Sequence, residues 1–211
     1  MKQFSTLGLI LAFVLTGCGA ASAISEIGAV SFNDVTPDAW YADAVEWCRE
    51  QGIMNGTSSA TFSPDDTLTR ATLATVLYRT AGTPAVNGNV KFSDVKENAW
   101  YTKGVAWAST NDLMSGYGGG VFGTNDPVTR EQLATILWRY AGSPVPANGG
   151  ARYADVSSYA EDGVCWAAEN DLLREKGDGE YILKENASRA EIADSTVMRR
   201  TVKKQANTTI T

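Results

Sequence analysis

Three arginines stand at matching places in this chain: Leu68-Thr69-Arg70, Val128-Thr129-Arg130 and Ala187-Ser188-Arg189. A Thr or Ser followed by Arg at a helix start joins a planar, bidentate cation to backbone N–H groups and the positive end of the helix dipole. That is the chemistry of a local anion trap. Each arginine is preceded by an aspartate in a common setting, Phe32-Asn33-Asp34-Val35, Phe92-Ser93-Asp94-Val95 and Tyr153-Ala154-Asp155-Val156. The alternative role for the arginines is therefore to pair with Asp34, Asp94 and Asp155, which also suit helix or turn capping. Trp40 and Trp100, each followed by Tyr, offer either a face for a sugar ring or apolar core.

Other chemistry is poorly served. The 211 residues contain no histidine, which removes the usual general base and the Ser/His and Cys/His nucleophile pairs. Asp65-Asp66 and Asn125-Asp126 lack the ligand series of a calcium loop, so no metal and no other cofactor is expected. The run Gly116 to Gly120 is followed by no Gly-Lys-Ser/Thr and reads as a turn, not a nucleotide loop. A net charge of -6 gives no long-range attraction to nucleic acid, and an anionic partner has to be met by locally placed cations. Arg199, Arg200, Lys203 and Lys204 read as cations closing a helix C-terminus.

The elements that must position these residues repeat at intervals of about sixty residues. Trp40, Ala44, Trp47 and Cys48 fall at helical spacing and predict an amphipathic helix that packs into the core and stops near Gly52. A second helix begins at each Thr-Arg or Ser-Arg step, where Thr129 with Gln132 and Ser188 with Glu191 have capping-box spacing and Thr69 has only Thr72. A helix pair this small cannot bury its apolar faces alone. The expected fold is mainly α, with three helix-loop-helix units packed as a pseudo-threefold helical bundle. The expected units are residues 30–84, 85–146 and a divergent 147–201, with 202–211 as a disordered tail.

Residues 1–17 carry one Lys and an apolar run too short to span a bilayer permanently, which reads as an export signal. Leu15-Thr16-Gly17-Cys18 resembles a lipoprotein cleavage site that would leave a lipidated Cys18 on a linker, residues 18–29; Ala21-Ser22-Ala23 fits ordinary secretion. Cys48 and Cys165 remain, and an exported location permits but does not require a bridge between them.

The ordered combination Phe-x-Asp-Val, Trp40-Tyr41, Gly52-Ile53-Met54-Asn55-Gly56, Phe62-Ser63-Pro64 and Thr69-Arg70 resembles the S-layer homology domain, the wall-binding module of bacterial surface proteins. The resemblance implies a non-catalytic cell-envelope protein that binds secondary cell-wall polysaccharide, typically pyruvylated, or peptidoglycan-linked polymer in grooves between repeats. It makes Arg70, Arg130 and Arg189 the anion contacts and Gly56 and Gly116 the glycines that shape the groove; Asp34, Asp94, Asp155, Trp40 and Trp100 stand beside them as candidate polysaccharide contacts on their own chemistry. It implies anchoring to the envelope; the membrane tether, lipid at Cys18, is what the lipoprotein-type cleavage sequence implies. Another class remains open, a structural or assembly protein whose repeats bind another envelope protein. Copy three departs from the pattern, with Tyr159 in place of the outer Trp and Arg174-Glu175-Lys176 in place of the glycine step. Grooves served by Arg70 and Arg130 are accordingly expected to dominate, with copy three closing the fold.

Overall fold

The computed structural model describes residues 32–86, 92–147, 153, 155–177 and 179–196. The export signal, Cys18, the linker, the basic cluster from Arg199 and the C-terminal tail lie outside the described residues. Six helices are present among them: α1 Ala42–Glu50, α2 Arg70–Thr80, α3 Thr102–Thr110, α4 Arg130–Tyr140, α5 Glu161–Glu169 and α6, residues 189–196. Only isolated two-residue bridges, and no strands, occur among the described residues. The fold is mainly α, as the periodicity implies.

Helices of 9 to 11 residues are marginal in isolation, so packing must supply their stability. That packing crosses the repeat boundaries. The first helix of each repeat lies on the second helix of the repeat before it, α3 on α2 and α5 on α4. Gly104 and Gly163 allow these approaches, because a methyl group there would stand 2.8 Å from the Thr75 Cα and 2.7 Å from the Thr135 Cα. The cycle closes where α1 meets α6, with buried Cys48 against the Ala193 carbonyl at 3.9 Å. Three copies thus share one core in a closed head-to-tail ring. Leu77, Leu137 and Thr196, at matching positions of α2, α4 and α6, line a single cavity of about 490 Å³ near the helix ends.

The capping pattern is present as read. Thr129 and Gln132 form a reciprocal capping box, Ser188 and Glu191 do the same, and Thr69 accepts from the Thr72 amide and shares a hydrogen bond with the Thr72 hydroxyl, with no reciprocal bond back to its own amide among the described residues. Trp40 departs from expectation. It precedes α1, whose buried face is Ala44, Val45 and Cys48, and its side chain is 46% exposed. Helical spacing placed it on the stripe, but the chain enters the helix only at Ala42 and leaves the indole outside the core. Cys48 and Cys165 are buried and form no disulfide, and burial pushes Cys48 up to about 12, far from a reactive thiolate.

Candidate functional site

The first-turn amides of the second helices do not wait for an anion. Arg70 N–H donates to the Asp126 carbonyl at 2.9 Å and Ala71 N–H to Thr124 at 3.2 Å. Arg130 and Glu131 donate in the same way to Glu185 and Leu183, and Arg189 and Ala190 to Asp66 and Pro64. These bonds tie each helix start to the loop of the next repeat, the last returning to the first. The anion trap expected from unsatisfied helix amides is therefore not the geometry found.

The guanidinium groups follow the same cyclic rule. Arg70 donates through Nε to Phe122 O at 3.0 Å and through Nη2 to Ser115 O at 2.5 Å. Arg189 donates to Phe62 O and Asn55 O, each at 2.7 Å. Arg130 donates to Tyr181 O at 2.7 Å and to Arg174 O. All three are buried, and burial lowers their pKa from the ordinary value, opposed for Arg70 by Tyr117, Asp126 and Asp94 and for Arg189 by Asp66 and Asp34. An arginine remains cationic at neutral pH under such a shift. Among the described residues, Arg70 and Arg189 form no ion pair; Arg130 pairs with Glu191.

The aspartates do not pair with these arginines. Asp34 accepts from the amides of Phe62 and Ser63 at 2.8 and 2.7 Å. Asp94 accepts from Phe122, Gly123 and Thr124 amides at 2.7, 2.8 and 2.8 Å, and from the Thr124 hydroxyl. Partial burial works upward on Asp94, but these bonds outweigh it and hold the carboxyl down to about 2. Asp155 is exposed, and the clamp is not repeated there among the described residues. The stability Asp94 supplies is complete above the ordinary value of 3.8 and is lost as pH falls through about 2. Asp94→Asn is expected to lower stability by about 1 to 2 kcal/mol at neutral pH. The gap from wild type should shrink below pH 3, read from urea midpoints across pH.

Three grooves lie at the junctions, each built from three repeats. The first, about 430 Å³, has the loop Ile53 to Thr57 and α2 as its floor, with Arg189 and Trp100 on its walls. The second, about 180 Å³, has Leu113 to Ser115 and α4, with Arg70 and Tyr159. The third has Leu172 to Arg174 and α6, with Arg130 and Trp40, and a free volume of only about 10 Å³. The open grooves are thus served by Arg189 and Arg70, and Arg130 enters the filled one. Each arginine serves the repeat that follows its own, so the divergent copy lends its arginine to the best-formed groove.

Trp100 is 62% exposed, packs perpendicular to Tyr101 with ring centres 5.1 Å apart, and lines the first groove. Trp40 is covered by the Arg174 guanidinium, 4.6 Å from its ring centre. Gly56 and Gly116 are places of close approach: a methyl group on Gly56 would stand 2.5 Å from the Phe32 ring, and one on Gly116 would stand 2.7 Å from the Phe92 ring. Sequence reading missed Arg79 and Arg139, which line the two open grooves and donate to Ile53 O and Leu113 O. The available signal was their common place nine residues after Arg70 and Arg130. No cluster of His, Cys, Asp or Glu fit to hold a metal occurs among the described residues.

A closed ring of helical repeats with arginine- and aromatic-lined clefts at its junctions is the class this fold defines. The S-layer homology domain model matches residues 31–74 and 91–134. An endoglucanase of Bacillus sp. (strain KSM-635) is 30% identical over 204 residues, 92% of this chain and 22% of that protein. The surface-layer 125 kDa protein of Lysinibacillus sphaericus is 33% identical over 58% of this chain and 10% of its own length. The S-layer protein sap of Bacillus anthracis is 28% identical over 65% of this chain and 17% of its own length. The chain spans less than a quarter of the length of these curated relatives.

Proposed function

We propose that this chain is a non-catalytic cell-envelope protein with three S-layer homology repeats, the third divergent, that holds acidic wall polysaccharide in its open grooves. The observation that carries the reading is the pairing, in both open grooves, of two arginines with one exposed aromatic ring: Arg189, Arg79 and Trp100 in one, Arg70, Arg139 and Tyr159 in the other. Guanidinium donors suit a carboxylate on a sugar, and the aromatic face suits the apolar side of a pyranose ring. Short-range bonds of this kind outweigh the screened repulsion between a chain of net charge -6 and an acidic polymer.

The matching of two surface-layer proteins and of an endoglucanase over a small part of each supports a shared wall-attachment module. The N-terminal Leu15-Thr16-Gly17-Cys18 supports export with a lipid tether at Cys18, and two weak anchors then act together. The linker of residues 18–29 reaches at most about 40 Å when extended, which restricts binding to polymer near the membrane. The test is sedimentation of the protein with purified wall before and after removal of pyruvyl groups. Retention should fall at least tenfold on their removal; equal retention overturns the reading.

A further inference from the structure

The second residue of each second helix is alanine in copies one and three, Ala71 and Ala190, and glutamate in copy two, Glu131. Glu131 is buried all the same. A carboxylate taken out of water must find donors to replace its lost hydration. Glu131 finds four, all from the third repeat. Oε1 accepts from Ser157 Oγ at 3.0 Å and from the Tyr159 hydroxyl at 2.8 Å; Oε2 accepts from the Ser157 amide at 3.0 Å and from Lys184 Nζ at 2.8 Å. Lys184 also donates to Ser157 Oγ, which joins two of these partners to each other. Burial works upward on the Glu131 carboxyl, but the bonds outweigh it and hold the group below the ordinary value of 4.5.

The cluster stands where the third repeat has lost its own fastening. Asp34 and Asp94 clamp the segments that lead to Trp40 and Trp100, six residues further on, by accepting amides of their own repeats. Tyr159 follows Asp155 by only four residues, and Asp155 makes no such clamp among the described residues. The shortened segment is held instead by α4 of the preceding repeat. Tyr159 takes the place of Trp100, and its half-exposed ring lines the second open groove. Its hydroxyl is tied to a buried, charged acceptor, a bond about twice as strong as one between neutral partners. Gln132, the next residue of α4, bonds the same hydroxyl.

We infer that Glu131 is a positioning residue of the second groove: it fixes the Tyr159 ring on the groove wall, so that the second repeat supplies the anchor its divergent neighbour lacks. The inference rests on the reading that this groove takes wall polysaccharide, with Tyr159 as its aromatic face. Glu131 itself acts through Tyr159 and touches no sugar. A tyrosine held in one rotamer presents its ring at full occupancy. Released, the side chain spreads over its staggered wells, and apparent affinity falls with the fraction left in the right one, by about two- to threefold.

The test couples the two residues. Retention on purified wall is measured in the Trp100→Ala chain, where the second groove carries the remaining binding. Tyr159→Phe keeps the half-exposed ring and removes only the hydroxyl, and Glu131→Ala installs the residue type that Ala71 and Ala190 already supply. Each should weaken retention by about two- to threefold, and the double variant no further. Unchanged retention in Tyr159→Phe, or losses that multiply in the double variant, overturns the positioning role, because a purely structural Glu131 acts independently of the hydroxyl. A second measurement needs no ligand. The Hα–Hβ three-bond couplings of Tyr159, read by NMR in the full chain, should report one rotamer in the native chain and averaging in Glu131→Ala. One rotamer in both chains, or averaging in both, overturns the positioning role. Couplings that change as expected in a chain whose native form is not retained on wall overturn the binding reading instead.

Discussion

Trp100→Ala is expected to weaken retention on purified wall about tenfold or more while the thermal midpoint moves by less than about 2 °C. The ring is 62% exposed and lines the largest groove, so truncation removes little buried area from the core. Truncating a central aromatic anchor at a binding surface costs about 2 kcal/mol, more than one decade of affinity. Trp40→Ala is the internal control. Its ring occupies the equivalent place in the filled groove and already carries the Arg174 guanidinium, so wall retention should change less than about twofold. Sedimentation of both variants with the same wall preparation checks the pair of results. Equal losses for Trp40 and Trp100 would show that the grooves do not differ as their volumes imply.

What could be read in the sequence divides along a physical line between local and non-local structure. The second helices and their caps were legible because a Thr or Ser, its partner three residues on, and the apolar face of Leu133, Ile136 and Leu137 are all neighbours in the chain. Asp34 and Asp94 were marked as caps or arginine partners, and the amide clamps at Phe62 and Phe122 select the first role. The exposure of Trp40 was not legible, since helical spacing continues one turn before the helix begins. Nor was the handover of arginines around the ring. Arg189 lies in a copy with a degenerate loop, yet it reaches Asn55 and Phe62, more than a hundred residues away, and serves the groove of the first copy. Ring closure sets which arginine meets which loop, and no periodicity within a repeat records it. The ion pair between Arg130 and Glu191 was hidden for the same reason, because the two residues belong to different repeats.

Arg130→Ala is expected to destabilise the fold by about 3 kcal/mol or more while leaving wall binding at neutral pH nearly unchanged. Arg130 has a relative exposure of 1% and holds three acceptors from the third repeat: Tyr181 O, Arg174 O and the Glu191 carboxylate. Alanine leaves two buried carbonyls without donors and a buried carboxylate with only the more distant Lys176 to face it. At about 2 to 4 °C per kcal/mol for a chain of this size, the midpoint should fall by about 6 to 12 °C, measured by circular dichroism. Glu191→Gln should cost less, because it leaves Arg130 in the state that Arg70 and Arg189 already occupy, with two carbonyl acceptors and no ion pair. Arg189→Ala then separates the two roles that the ring assigns to one residue type. It removes the side-chain bonds to Phe62 O and Asn55 O at the junction between the third and first repeats and also strips the largest groove of its inner cation, so both the midpoint and wall retention should fall. Loss of stability without loss of binding at Arg130, and loss of both at Arg189, is the pattern that follows from one groove being filled from within and another being open.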